Sequence, residues 1–263
     1  LDFEDSSALG NDANGSNNFT VRNLTAIDQS TDTCTNNAPT LNILSSSTTP
    51  IFTQGNLEGQ CNSLNTWNKV APTTFVLNSG KWYWEIKNLD STYPNYINPA
   101  FMNANFYSSS ISGTGFPGNV YDSNNGFWNG LQGGGDNNSF AIYRAGSSGQ
   151  TISSAFTVNH IMSFALDLDN RKCWLAHNGS YVLSGNPNTG ANETWGTSDI
   201  DANTPYVPAV AWYYSSSKIA FNFGSPSQSI SSGNSDANGY GNFEYTVPTN
   251  FYAINSKNLA EFG

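Results

Sequence analysis

Apolar and polar positions alternate most regularly across Ile161–Leu183, IMSFALDLDNRKCWLAHNGSYVL. Met162, Phe164, Leu166 and Leu168 alternate there with Ile161, Ser163, Ala165 and Asp167, the period of two that a pleated strand imposes. Asp169-Asn170 supplies turn chemistry. A two- or four-residue loop at that point sets Leu166 opposite Cys173 and Phe164 opposite Leu175. The other face then pairs Ala165 with Trp174 and Asp167 with Lys172. Asn178-Gly179 is the dipeptide of a type I′ turn, which needs positive φ at both positions, and it folds Ser180–Leu183 back onto Cys173–His177. The stretch reads as a three-stranded meander.

Upstream, Phe75–Leu77, Asn78-Ser79-Gly80 and Lys81–Lys87 read as a hairpin with a three-residue loop. In KWYWEIK, Trp82, Trp84 and Ile86 share one face and form a core wall; Lys81, Tyr83, Glu85 and Lys87 share the other. Further short strands are expected at Phe101–Tyr107, Gly126–Trp128, Phe140–Arg144, Ile152–Val158, Val207–Tyr214 and Lys218–Phe223. Phe243–Val247 and Phe251–Ile254 add terminal ones, and Ser256–Phe262 is long enough for one helical turn. Residues 1–60 are polar, with spaced apolar anchors such as Leu9, Phe19 and Leu41, which predicts an ordered, loop-rich cover. The pattern is that of an all-β protein with almost no helix.

Composition narrows the function classes. Asn and Ser make up more than a quarter of the chain, aromatics 14% and charged residues only 11%, which suits many short strands joined by turns. The net charge of −10 and the nine scattered Lys and Arg argue against nucleic acid and against an anionic membrane surface. No run approaches a membrane span, so no membrane insertion is expected. The chain opens on Leu1 inside a strand-like stretch, as a segment of a longer polypeptide does.

Candidate chemistry is sparse. A glycosidase needs two carboxyl groups about 5–10 Å apart in a groove. The six Glu offer no pair on a Trp-bearing strand face, and Glu85 has Lys81 and Lys87 nearby to neutralise it. The meander register places His177 opposite Met162, two residues beyond His160, but no Cys, Asp or Glu joins the two histidines at ligand spacing. Asp167–Asn170 and Asp199–Asn203 lack the Gly and Glu of a calcium loop and read as turn caps. Neither catalytic residues nor a metal or other cofactor is expected.

Gly80–Glu85, the run FALDLDNRKCWLAHNGSYV, Pro208-Ala209-Val210 and Phe221–Gly224 resemble, in order, the main motifs of a SPRY domain over about residues 75–225. The start, LDFEDSSALGNDANGSNNFTVRNLTAIDQSTDTCTNNAPTLN, and the end, VPTNFYAINSKNLAEF, resemble SPRY-containing proteins of tailed bacteriophages. The resemblance implies a concanavalin-like sandwich of two antiparallel sheets, no catalytic residues, and recognition through loops at one edge. It frames residues 1–263 as one domain, a core at 75–225 with 1–74 and 226–263 as ordered flanks packed on it. Cys34 stands where the resembled motif usually has Pro, which motivates a disulfide with Cys61; Cys173 is expected to be a reduced core thiol.

The resulting expectation is a non-enzymatic structural or adhesive module of a phage tail or fibre protein at the virion surface. Its partners are other virion proteins or copies of itself, or a host-surface protein or glycan. Recognition surfaces favour Tyr and Trp on rigid loops, which selects Tyr93, Tyr96, Trp128, Trp195, Tyr213 and Tyr214. A carbohydrate-binding module is the alternative, its platform drawn from Trp195, Trp212, Tyr213 and Tyr214; a glucanase-like enzyme is a third reading.

Overall fold

The computed structural model describes residues 7–12, 14–23, 35–44, 50–61, 69–92, 96–106, 128–133, 139–144 and 150–263. Its strands in chain order begin with β1 Ile51–Thr53, β2 Glu58–Gln60, β3 Lys69–Pro72, β4 Lys81–Asn88 and β5 Ile97–Asn103. They continue with β6 Trp128–Gly133, β7 Phe140–Tyr143, β8 Thr151–Ile152, β9 Ile161–Asp167 and β10 Lys172–His177. The last are β11 Ser180–Tyr181, β12 Tyr206–Trp212, β13 Lys218–Asn222 and β14 Tyr252–Ala253, followed by helix α1 Ser256–Phe262.

Among the described residues these strands make two sheets, ordered β1-β2-β13-β4-β9-β10-β11 and β3-β12-β5-β6-β7-β8. Every named pairing is antiparallel except that of β14 with β4. The protein is thus an all-β sandwich of two antiparallel sheets.

The meander forms in the expected register, with Leu166 opposite Cys173, Phe164 opposite Leu175, Asp167 opposite Lys172 and His177 opposite Met162. A four-residue loop joins β9 to β10, and Asp167 Oδ1 caps it by accepting from the Asn170 amide at 2.9 Å. Asn178 and Gly179 both take positive φ, 47° and 79°.

Alternation decides what each sheet buries. Trp82, Trp84 and Ile86 face the interior with Phe164, Leu166 and Leu175, against Phe101, Ile142, Tyr206 and Val210 of the second sheet. Trp84 stacks on Phe164 at 5.0 Å between ring centroids, with the planes 1° apart. The opposite face of β4 is also covered, since Tyr83 packs with Ala165, Trp174, Phe243, Phe251 and Ala253. Residues 243–253 therefore bury the outer side of the first sheet, and Ser256 joins them to the N-terminal segment by donating its amide to the Asn37 carbonyl at 2.9 Å.

Several elements differ from the sequence reading. Phe75–Leu77 does not hairpin onto Lys81–Lys87: Leu77 bridges Tyr206 in the second sheet instead, and the chain crosses to the first through Gly80 at φ 85°. Strand β5 covers Ile97–Asn103 rather than Phe101–Tyr107, and β6 starts at Trp128, with residues 126 and 127 outside the described set. Of the expected strand Ile152–Val158 only Ile152 is strand, at the end of β8, because the chain turns there toward β9. Phe243 makes one bridge, to Asn234, and Phe251–Ile254 contributes the parallel pair Tyr252–Ala253. Helix α1 has seven residues, capped by the Asn255 side chain, which accepts from the Asn258 amide.

The carboxylates are spent on architecture. Lys81 pairs with Asp167 at 3.0 Å, not with Glu85. Glu58 is buried on β2 and meets Lys218 Nζ at 2.7 Å, Ser227 Oγ at 3.0 Å and Gln228 Nε2 at 2.6 Å. Burial pushes its carboxyl up, but the hydrogen bonds of Lys218, Gln228 and Ser227, with the Lys218 charge, outweigh that and hold it below the ordinary value. A depressed carboxyl stabilises the fold above its unfolded pKa and loses that contribution as pH falls through the folded value. Lys218→Met is therefore expected to cost about 1–2 kcal/mol at pH 7, less than a fully buried pair because the ammonium is a third exposed. Urea denaturation should show that cost shrinking as the pH falls below about 4.

Candidate functional site: a tyrosine cluster at one end of the sandwich

Strands β5 and β12 run antiparallel and end together at the pair Ile97–Trp212. Tyr96 immediately precedes that pair on one strand, and Tyr213-Tyr214 follows it on the other. The Tyr213 amide donates to the Tyr96 carbonyl at 3.1 Å, extending the ladder by one rung. Period-two alternation stops there, and the three rings gather. Tyr96 lies 5.5 Å from Tyr213 with planes at 32°, and 4.5 Å from Tyr214 at 84°; Tyr213 and Tyr214 are 4.7 Å apart at 83°. All three side chains are half-buried.

The loop behind them is tied on three sides. Ser217 donates its amide to Tyr214 and accepts from Cys61, Gln60 Nε2 donates to the Ser215 carbonyl, and Ser216 Oγ donates to Asp90 Oδ2. Asp90 is buried and also accepts from the Thr92 amide at 2.7 Å. The patch is an aromatic surface on a braced loop, with edges and faces crossing rather than lying flat.

The other expected site residues fall elsewhere. Trp195 is fully buried, which corrects its assignment to a binding surface. Its backbone bridges Cys173 on β10, its ring lies 5.9 Å from Phe164 and 5.5 Å from Phe101, and Nε1 donates to the Tyr143 carbonyl at 2.8 Å. The polar excursion 185–205 is thus pinned by apolar anchors, Trp195 and Ile200, that enter the core. Trp212 is buried as well; a Cβ at Gly59 would meet its ring at 2.8 Å, so that glycine makes room for the indole. No platform of coplanar Trp and Tyr forms from these residues.

Trp128 opens β6 opposite Met102, but its side chain lies outside the described set, as do Tyr93 and Cys34. Cys61 is buried in the main core, and so is Cys173, whose thiol is pushed up by burial.

Two features carried no clear signal in the sequence. Glu85 lies at the junction where β13 and β14 share one edge of β4. Its oxygens accept from the Glu244 and Tyr245 amides, Tyr83 OH and Asn222 Nδ2 at 2.9–3.2 Å. Main-chain donors leave no residue pattern by which to find such an anchor. A cavity of about 260 Å³ also opens between the flanks, lined by Asn36, Phe223, Tyr240, Asn255 and Lys257, with Lys257 Nζ 5.8 Å from the Tyr240 ring centre. Among the described residues, no group of three or more His, Cys, Asp and Glu side chains is placed to hold a metal ion, and no helix is long and apolar enough to cross a membrane.

No family model matches the sequence, and no curated protein sequence matches it. Solved structures similar to the chain include the SPRY domain of human HERC1, at 14% identity over 69% of this chain and 96% of that one, with a TM-score of 0.49. The TRIM65 PSpry domain is similar at 13% identity over 70% and 90%, TM-score 0.47. A human SPRY domain is similar at 13% over 65% and 93%, TM-score 0.42.

Proposed function

We propose that this chain is a non-enzymatic recognition module of a phage tail or fibre protein, working at the virion surface through contact with protein, either copies of itself or other virion components. The observation that carries the contact part is the Tyr96–Tyr213–Tyr214 cluster. It offers rigid aromatic area that loses little entropy on ordering. Rings crossing at 83–84° do not make the flat platform on which a sugar ring stacks, so a protein partner fits better. The buried Asp90 is engaged by Thr92 and Ser216, which supports binding rather than acid–base chemistry at this end. The virion part rests on the sequence resemblance to phage SPRY-containing proteins.

A second reading is glycan binding in the cavity between the flanks. Tyr240, Asn36 and Lys257 offer a ring face, an amide and a cation in a space of about 260 Å³, below the usual ~300–1,000 Å³ of small-molecule pockets.

Sedimentation velocity on the 263-residue chain tests the main proposal. Concentration-dependent self-association is expected, together with decoration of phage tails by antibody raised against the chain. The double variant Tyr213→Ser/Tyr214→Ser should weaken association at least tenfold while its melting temperature moves by only a few degrees. A monomer at every concentration, with unlabelled particles, overturns the proposal.

A further inference from the structure

The two histidines take no part in that reading, yet their geometry is specific. His160 ends the crossing from β8 to β9, and His177 ends β10. His177 Nε2 lies 2.9 Å from His160 Nδ1, with ring centroids 4.9 Å apart. The same His160 Nδ1 is 3.0 Å from the Ala155 carbonyl oxygen and 3.4 Å from the Thr157 amide nitrogen. One ring nitrogen cannot satisfy all three. Carrying a proton, it donates to Ala155 and faces the Thr157 N–H; without one, it accepts from Thr157 and faces the Ala155 lone pairs.

Each remaining ring nitrogen faces a side-chain hydroxyl, which can donate or accept. His177 Nδ1 lies 2.9 Å from Ser154 Oγ, and His160 Nε2 lies 3.1 Å from Thr157 Oγ1. If both outer nitrogens carry protons and donate to those hydroxyls, the inner pair, His160 Nδ1 and His177 Nε2, presents two lone pairs to one point beside the Ala155 carbonyl. Metal-ligating histidines have this arrangement, each donating its second N–H to an outer oxygen. Phe140 and Phe156 stand edge-on to His177 at 5.8 and 6.5 Å and form an apolar wall.

We propose that His160 Nδ1, His177 Nε2 and the Ala155 carbonyl oxygen form a binding site for a late first-row divalent ion of the zinc class, completed by water. Imidazole nitrogens select such ions over calcium and magnesium, which prefer all-oxygen sites. Metal–nitrogen bonds of about 2.0–2.1 Å at a tetrahedral angle need the nitrogens about 3.3 Å apart, a few tenths beyond the 2.9 Å present. The net charge of −10 adds a favourable field for cations. A main-chain carbonyl as third donor explains why side-chain spacing alone shows no site.

Isothermal titration of the full chain with zinc chloride at pH 7.5 tests this. One ion per chain is expected, with no heat from calcium chloride under the same conditions. His177→Gln and His160→Gln should each weaken zinc binding at least tenfold. Thr157→Val keeps both ligands and removes only the outer partner, and should weaken it about tenfold; circular dichroism confirms that each variant is folded. If a histidine variant fails to fold, the Thr157→Val result decides. Absence of saturable zinc binding, equal binding of calcium, or unchanged affinity in the folded variants overturns the proposal.

Discussion

Replacing Trp84 by alanine is expected to lower the unfolding free energy by about 3–5 kcal/mol, as removal of a large buried aromatic does. Trp84 is fully excluded from solvent and lies flat on Phe164, which in turn meets Phe101 and Trp195. Deleting the indole opens a cavity between the sheets that neighbours pinned in their own strands cannot fill. Among the described residues the buried Nε1 of Trp84 has no hydrogen-bond partner. Trp84→Phe removes that unsatisfied donor along with some volume, so its cost should be under about 2 kcal/mol. Urea unfolding of both variants, followed by circular dichroism, distinguishes a packing role from any other. Equal losses in the two variants would contradict the stacking account.

Glu85→Gln is expected to cost about 2–3 kcal/mol at pH 7. Four donors converge on the two carboxylate oxygens, two of them amides of the strap that covers the outer face of the first sheet. A glutamine offers one acceptor oxygen and turns an NH₂ toward N–H groups, and hydrogen bonds to a charged acceptor are worth about 1.5–3 kcal/mol each. Burial outweighs those donors and holds the Glu85 carboxyl above its ordinary value. The folded chain therefore keeps this proton more tightly than the unfolded one. Its contribution is complete below the unfolded pKa and declines as pH rises through the folded value. Since glutamine does not titrate, the gap between the two proteins should be wider near pH 4 than near pH 8. A gap that widens with rising pH would mean that the carboxyl is depressed instead.

How much of this was legible in the sequence depends on distance along the chain. The β9–β10 register could be read to the residue, because it is fixed by a local turn and by alternation on adjacent strands, whereas the third strand stops at Tyr181 and Val182–Ser184 turn into a 3-10 helix instead of continuing to Leu183. The core wall of Trp82, Trp84 and Ile86 was legible for the same reason. Pairings between distant segments were not. Leu77 looks like half of a hairpin, yet its partner is Tyr206, and nothing near Tyr252 announces a parallel seat on β4.

Site residues divide along the same line. Tyr96, Tyr213 and Tyr214 could be picked by type, but their meeting follows from the β5–β12 pairing. Trp195 was misread because a polar surrounding stretch hides a single core anchor. The donors that hold Glu85 are largely main chain and carry no residue signature.

The shared edge of β4 also governs how the chain reaches this structure. The β9–β10–β11 meander can close by itself, since hairpins form in about 1–10 μs. Strand β4 must wait for β13 to occupy one half of its edge and for β14 to occupy the other. Topologies dominated by such remote pairings fold in milliseconds to seconds rather than microseconds. During synthesis, the central strand of the larger sheet stays half-paired until residues 252–253 have left the ribosome. The nascent chain accordingly carries an open, aromatic-rich strand edge for most of its translation, so chaperone demand and yield should follow elongation speed through the last dozen codons of this region.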